Sequence, residues 1–194
     1  MVFCLQEVGL AAEFHLAAEV AGVRVVVEVG AVLAVVAEVP AAAAQEGAGD
    51  MNAKEFLDKL DQEKVVAAIA EAERQTSGEI RVYISRRNRA DGLAAAQVRF
   101  KKLGMHKTRE RNAVLIYVAP VAQTFGIVGD EAVHTRCGEK LWQDVRDAMA
   151  AELKAGRFTE GVVAAVNLVG AELQRHFPHH ADDKNTHSNE IDIE

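Results

Sequence analysis

The chain has 194 residues, of which 49% are hydrophobic and 26% are charged, and its formal net charge is −7. This composition excludes a disordered, fibrous or disulfide-framework protein, and the length fits one ordinary domain with tails. The two cysteines, Cys4 and Cys137, lie in dissimilar segments, so a reducing compartment, the cytoplasm, is the simplest prediction.

Residues 1–50 form a low-complexity leader, rich in Val, Ala, Gly and Glu, with no settled period. The leader carries seven acidic residues and one arginine, so most of the net charge comes from it and says little about partners. Its apolar run over 30–37 is far shorter than the roughly 20 residues of a transmembrane helix, and no transmembrane segment is predicted.

The leader has two interpretations. Translation starting at Met51 would leave residues 1–50 outside the native protein. Alternatively, the leader is genuine and acts as a degenerate export signal that ends near residues 41–44. A standard secretory signal is not predicted, because no basic region precedes the apolar core.

Residues 51–178 predict a single α/β domain. Asn52 followed by Glu55 is a capping-box pattern, and it opens a helix that continues to about Gln75. Apolar and polar residues then alternate over 80–85, which predicts a strand with one well-buried face. A second amphipathic helix over 91–103 completes a β-α unit.

Two neighbouring strands follow. The segment 113–119 is continuously apolar, as is typical of a central strand buried on both faces. Residues 120–122 form a turn into a strand over 123–128, which ends at Gly129 and Asp130. The short turn predicts that these two strands are antiparallel.

Two long amphipathic helices end the domain. Gly156 separates them, Thr159 is predicted to cap the second, and Pro178 follows its end. Their apolar stripes contain Leu141, Trp142, Val145, Met149 and Leu153 in the first, and Val162, Val166, Val169, Leu173 and Phe177 in the second. The order of elements predicts a three-layer α/β/α sandwich with a small mixed sheet. Residues 179–194 are predicted to be a disordered polar tail.

Five segments of this domain occur in the order and spacing of a known family. They are the segments over 77–82, 100–105, 111–117, 126–130 and 156–161, beginning with Ser77-Gly78-Glu79-Ile80-Arg81-Val82. The chain thus resembles the TPM domain family, whose members look like thylakoid acid phosphatases, photosystem repair factors and bacterial TPM domain-containing proteins. The resemblance implies a mixed sheet between helical layers. It implies no single reaction, because its members differ in function.

Four carboxylates are candidate ligands for a hard divalent cation, Ca²⁺ or Mg²⁺. Asp130 follows one predicted strand and Glu79 opens another, and ligand sites gather at strand ends in α/β sheets. Glu131 and Asp144 would add the further oxygen ligands that such cations prefer. The alternative is that these carboxylates are helix caps and turn residues.

Ten basic residues lie between Arg81 and Arg111, opposed only by Asp91 and Glu110. Guanidinium groups bind phosphate and carboxylate in a bidentate manner, so a groove here is a candidate anion site. The candidate anion-binding residues are Arg86, Arg87, Arg89, Lys107, Arg109 and Arg111. Parallel pairing of the flanking strands would instead give two separate patches, and a solubilising face is a further alternative. Nucleic acid is not the expected partner, because binding there usually adds stacking aromatics, and Tyr83 and Phe100 fall at positions typical of sheet and core.

No catalytic pattern accompanies these residues. Cys137 lacks the following arginine that closes the phosphate loop of a cysteine phosphatase, and it is interpreted as a small half-buried apolar residue. We therefore predict a non-enzymatic interaction or accessory module that binds a protein partner or an anionic ligand. It would be cytoplasmic or attached to a membrane through a partner. The family resemblance supplies the alternative, a weak acid phosphatase assisted by a divalent metal.

Overall fold

The computed structural model describes residues 53–88, 90–179 and 189–193, together with the backbone of 19–20, 23–24 and 32–38. The strands in these residues are β1 (Glu19–Val20), β2 (Val23–Arg24), β3 (Val32–Glu38), β4 (Glu79–Ile84), β5 (Ala113–Ala119), β6 (Thr124–Asp130) and β7 (Asp192–Ile193). The α-helices are α1 (Ala53–Lys59), α2 (Gln62–Glu73), α3 (Gly92–Lys102), α4 (Glu131–Lys154) and α5 (Phe158–His176).

Five strands form one mixed sheet in the order β3-β6-β5-β4-β7. β4 and β5 are parallel, with Glu79 opposite Ala113, whereas β6 is antiparallel to β5, with Gly129 opposite Val114. β3 pairs antiparallel with the other side of β6. Every residue of β5 is buried, as its continuous apolar run predicts. The amino ends of β4 and β5 therefore lie at the same end of the sheet as the carboxyl end of β6.

Helices cover both faces of the sheet. On one face, α3 packs Leu93, Ala96 and Phe100 onto side chains of β4, β5 and β6. On the other face, α1, α2, α4 and α5 bury a larger core that includes Trp142 and Val166. The predicted three-layer α/β/α sandwich is confirmed. None of the helices in the described part of the chain is long and apolar enough to cross a membrane.

The first predicted helix is in fact two helices. The side chain of Asp61 accepts a hydrogen bond from the backbone N–H of Lys64, which makes it the N-cap of α2 and separates that helix from α1. Asn52, the predicted cap, lies outside the described residues. Thr159 does not cap α5 as predicted. Its Oγ1 accepts a hydrogen bond of 3.0 Å from the backbone N–H of Asp61 and links the start of α2 to α5.

The junction between β6 and α4 lies at Asp130. β6 ends there, at the predicted boundary of Gly129 and Asp130, and Asp130 is also the N-cap of α4, so that helix begins at Glu131. Gly138 interrupts α4 with φ 72° and ψ −177°, a conformation that favours glycine. Two shorter helical segments therefore meet at Gly138.

Part of the tail that was predicted to be disordered is ordered. Asp192–Ile193 form β7, which pairs parallel with the end of β4. Asp192 forms an ion pair of 2.7 Å with Arg81, whose side chain is only 10% exposed and needs a counter-charge. Residues 180–188 lie outside the described residues, and a start at Met51 stays a prediction.

Candidate functional site

Three of the predicted metal ligands lie at the end of the sheet where β4 and β5 begin and β6 ends. Glu79 is the first residue of β4 and Asp130 the last of β6, on either side of the start of β5. Both are buried, with relative exposures of 5% and 0%. Glu131 follows Asp130 as the exposed first residue of α4. These three residues therefore lie near one another in the fold, and metal binding by them stays a prediction.

Asp130 is bound by groups of the protein itself. Its Oδ2 accepts a hydrogen bond of 2.8 Å from Arg111 Nε, and its Oδ1 accepts one of 2.9 Å from the backbone N–H of Glu131. The carbonyl of Arg111 in turn accepts a hydrogen bond from Ala132 N–H. The hydrogen bond to Asp130 raises the pKa of Arg111 above its usual value. Asp130 thus ties the loop before β5 to the start of α4.

Asp144 is engaged elsewhere on α4. It lies beyond the interruption at Gly138 and forms an exposed ion pair of 2.6 Å with Lys140. A metal site of four carboxylates stays a prediction. With Arg111 on Asp130, the remaining set fits a hard divalent cation poorly. The cap interpretation explains Asp130, and the ion pair with Lys140 explains Asp144.

Asp130→Ala should lower the free energy of unfolding by about 2 kcal/mol or more, since it removes both a helix cap and a charge-assisted hydrogen bond in a buried place. Asp130→Asn keeps a capping oxygen and loses only the charge opposite Arg111, so we expect roughly half that loss. Equilibrium denaturation measures both. Asp144→Asn is the control and should change stability by less than about 0.5 kcal/mol. Equal losses for the two Asp130 variants would show that the cap contributes nothing.

The parallel pairing of β4 and β5 separates the two basic segments. Arg86 and Arg87 follow the carboxyl end of β4, whereas Lys107, Arg109 and Arg111 precede the amino end of β5. The two segments therefore lie at opposite ends of this strand pair and do not form a single groove, and anion binding at either place stays a prediction. Arg89 lies outside the described residues. The patch before β5 is partly neutralised, because Arg109 and Arg111 pair with Glu110 and Asp130.

A cavity of about 430 Å³ opens beside the other patch. It lies between the loop after β4 and the outer side of α3, at the carboxyl end of a parallel strand pair, where α/β sheets commonly bind ligands. Its lining includes Arg87, Asn88, Val98, Arg99, Lys102 and Tyr117. Arg99, Lys102 and Tyr117 were not among the predicted site residues. The available signal was the position of Arg99 and Lys102 on the helix of the first β-α unit and of Tyr117 on the next strand, β5.

The cavity combines positive charge with an aromatic and apolar surface. The guanidinium carbon of Arg99 lies 4.1 Å from the ring centroid of Tyr83, which stacks on Tyr117 with centroids 5.5 Å apart. Val98 is 55% exposed at the rim. Among the described residues of the lining, the one carboxylate is Asp91, which caps α3 by accepting a hydrogen bond from Ala94 N–H. Chemically, this arrangement suits an organic anion.

A second cluster joins Cys137 of α4 to Glu172 and His176 of α5. One ligand atom from each residue lies within 4.8 Å of the other two. The interpretation of Cys137 as an isolated apolar residue missed its neighbours, because they come from a different helix. The spacing of four between Glu172 and His176, which puts both on one helix face, was the available signal.

Alkylation of Cys137 should be slow at neutral pH. Burial, with a smaller effect of Glu172 and opposed by Arg136 and Arg175, raises the pKa of this thiol to about 11. Because only the thiolate reacts, the rate constant should reach half its maximum near pH 11 instead of near pH 8.5. Iodoacetamide labelling followed by peptide mass spectrometry separates Cys137 from Cys4. A half-maximal rate that is already reached near pH 8.5 would contradict the burial of the thiol.

Comparisons with known proteins identify one matching family and two similar solved structures. A family model described as the TPM domain matches residues 51–172. The BA42 protein of the psychrophilic bacterium Bizionia argentinensis is 35% identical, with a TM-score of 0.64 over 70% of this chain and 95% of that one. The N-terminal domain of a P. gingivalis protein is 15% identical, with a TM-score of 0.49 over 69% of this chain and 99% of that one. A search of the curated proteins found no match.

Proposed function

Because the chain belongs to the TPM domain family, a membership that fixes its fold but no reaction, we propose a function from the cavity: a non-enzymatic interaction module that binds a small organic anion. The observation that carries the proposal is the grouping of Arg87, Arg99 and Lys102 around one cavity at the carboxyl end of β4 and β5. A cytoplasmic location, or attachment to a membrane through a partner, belongs to the same proposal.

The charges in the cavity favour an anionic ligand group. Arg87 and Lys102 are exposed, and Arg99 is half-buried against Tyr83, where its charged face is held in place. A guanidinium binds carboxylate or phosphate in a bidentate manner, and an ammonium adds a point charge. Stacking on an aromatic ring keeps a guanidinium in one orientation, which lowers the entropy cost of binding.

The uncharged part of the lining favours an organic ligand over a free inorganic ion. Tyr117 is almost fully buried beneath the cavity, and Val98 is exposed at its rim. Covering the exposed side chain of Val98 removes apolar surface from water, which contributes about 25 cal/mol per Å². The volume of about 430 Å³ is in the range of small-molecule sites. A ligand with an anionic head and an apolar body would contact both the charged and the uncharged part of the lining.

The phosphatase alternative receives less support from the described residues. A phosphatase needs an activated nucleophile or a metal cluster. The described lining offers no Ser, Thr, Cys or His, and Asp91 is engaged as a cap. At the opposite sheet edge, Asp130 is held by Arg111. Binding without turnover is therefore the proposed behaviour.

Phenyl phosphate tests both functions at once. We expect it to bind more tightly than inorganic phosphate, with an affinity that falls as salt rises, and to be released unchanged. Calorimetric titration measures the affinity, and phenol release with and without Mg²⁺ or Ca²⁺ measures turnover. Metal-dependent phenol release that is lost in Glu79→Gln would overturn the proposal in favour of the phosphatase. Absence of binding by both compounds would reject an anion site of this kind.

Single substitutions can localise the binding. Arg87→Ala and Lys102→Ala should each weaken phenyl phosphate about fivefold or more, because each removes a charge-assisted contact worth about 1 kcal/mol or more. Their matched controls are Arg86→Ala and Lys101→Ala. Each removes the same charge from a position that is one residue away in the sequence and outside the described lining. We expect the controls to change affinity less than twofold. Equal losses in all four variants would indicate diffuse attraction and contradict a site in the cavity.

A further inference from the structure

We propose that Cys137, Glu172 and His176 form a Zn²⁺ site between α4 and α5. The three residues offer sulfur, carboxylate oxygen and imidazole nitrogen, the ligand types that zinc accepts. All three are half-buried, so a bound ion would lose much of its water and keep access to solvent on one side. This inference is independent of the anion-binding cavity, which lies on the opposite face of the sheet.

The distances are close to those of a tetrahedral zinc centre. His176 Nε2 lies 3.5 Å from Glu172 Oε2, and all three ligand atoms lie within 4.8 Å of one another. Ligand atoms on a tetrahedral zinc ion are about 3.3–3.6 Å apart, given bonds of about 2.0–2.3 Å. The nitrogen and oxygen therefore already have the required spacing. A shift of about 1 Å at Cys137 Sγ, within reach of a side-chain rotation, completes the set.

Neighbouring arginines orient two of these ligands. Arg175 Nη1 donates a hydrogen bond of 2.8 Å to Glu172 Oε1, which leaves Oε2 directed at His176. Arg136 Nη1 donates one of 2.9 Å to the backbone carbonyl of His176, and its guanidinium lies over the Phe177 ring. Hydrogen bonds of this kind fix the ligands of metal sites from outside. They hold the end of α5 in the position that the site requires.

The charge of the site matches a soft or borderline divalent cation. A thiolate and a carboxylate together balance the two charges of zinc, and the imidazole binds in its neutral form. Zinc binds the thiolate form of cysteine, so binding must release the thiol proton of Cys137 to solvent. Ca²⁺ and Mg²⁺ require six or more oxygen ligands, which this trio does not supply. The fourth zinc position remains for water.

Co²⁺ is the probe for this site, because a thiolate bound to tetrahedral Co²⁺ gives a ligand-to-metal charge-transfer absorption. We expect one Co²⁺ per chain with this absorption, its displacement by Zn²⁺, and no displacement by excess Mg²⁺. Zn²⁺ should also raise the melting temperature, since it binds the folded chain. Absence of both the absorption and the thermal shift would overturn the proposal.

Variants assign the ligands. Cys137→Ser should abolish the charge-transfer absorption, and His176→Gln and Glu172→Gln should each weaken Zn²⁺ at least tenfold in competition with a chromophoric chelator. The control Glu160→Gln changes another α5 carboxylate outside the cluster and should bind normally. The double variant His179→Gln/His180→Gln removes the histidines that follow α5 and should also bind normally. Loss of binding in this double variant, or an absorption that persists in Cys137→Ser, would place the metal elsewhere and reject the site.

Discussion

Trp142→Ala should lower the free energy of unfolding by about 3–5 kcal/mol, the usual cost of truncating a fully buried aromatic side chain. Trp142 is 1% exposed and lies in the core between α4 and the sheet, with Val145 and Met149 on the same helix face. Its indole Nε1 donates a hydrogen bond of 3.4 Å to His134 Nδ1, which satisfies the only polar atom of the ring. The substitution therefore leaves both a cavity and an unpaired imidazole nitrogen.

Equilibrium denaturation followed by circular dichroism measures this loss, since the substitution removes the chain's one tryptophan as a fluorescent probe. Trp142→Phe is the matched control, because it keeps an aromatic ring in the same place. It should cost less than Trp142→Ala by about 1 kcal/mol or more. A loss below about 1 kcal/mol for Trp142→Ala would show that the ring is not part of the core.

Gly129→Ala should also be strongly destabilising, by about 1–3 kcal/mol. A Cβ atom at Gly129 would lie 2.2 Å from Cη2 and 2.7 Å from Cζ2 of Trp142, far inside van der Waals contact. The ring is packed on all sides, so it cannot move away without disturbing α4. The entropic advantage of alanine over glycine in the unfolded chain, about 0.4–1 kcal/mol, is too small to offset the clash.

A double-mutant cycle tests the cause of this loss. The atoms that would clash belong to the outer ring of the indole, so Trp142→Leu removes them. Gly129→Ala should then cost little in the Trp142→Leu background, with a coupling energy of about 1 kcal/mol or more between the two sites. Additive losses would mean that glycine is required at position 129 for another reason.

The strands β4, β5 and β6 were predictable because their signals are local, whereas β3 and β7 lie in the leader and the tail, where no strand was predicted. The alternation in β4 and the continuous apolar run of β5 each determine how many faces are buried, and the order of elements then determines the layers. The division between α1 and α2 was missed. Asp61 is a favoured N-cap residue and was a signal for it, but the apolar spacing continues through Asp61 and predicted one continuous helix. The role of Thr159 was not predictable. Its partner, Asp61 N–H, lies 98 residues away.

The candidate sites also differ in whether their signals are local in the sequence. Glu79 and Asp130 could be grouped because both occupy strand ends, a position that the sequence reveals. Whether the basic residues lie around one groove or in two patches depends on whether β4 and β5 run parallel, and no local sequence pattern determines strand direction. The trio of Cys137, Glu172 and His176 depends on the register between two helices, which packing of the whole core determines.

The position of α5 has a consequence for how the chain reaches its structure. This helix, the last in the described residues, packs against both α2 and α4 in one core, and its end is joined to the start of β4. There, the carbonyl of Phe177 accepts hydrogen bonds from Thr76 Oγ1 and Ser77 N–H, about a hundred residues earlier in the sequence. Contacts of such high sequence separation slow folding, because the loop must close before they form. A ribosome-bound chain that ends before α5 exposes the apolar faces of α2 and β4. The larger core can therefore close only after synthesis has passed Phe177, which makes folding of this domain a late event and lengthens the period in which it needs protection from aggregation.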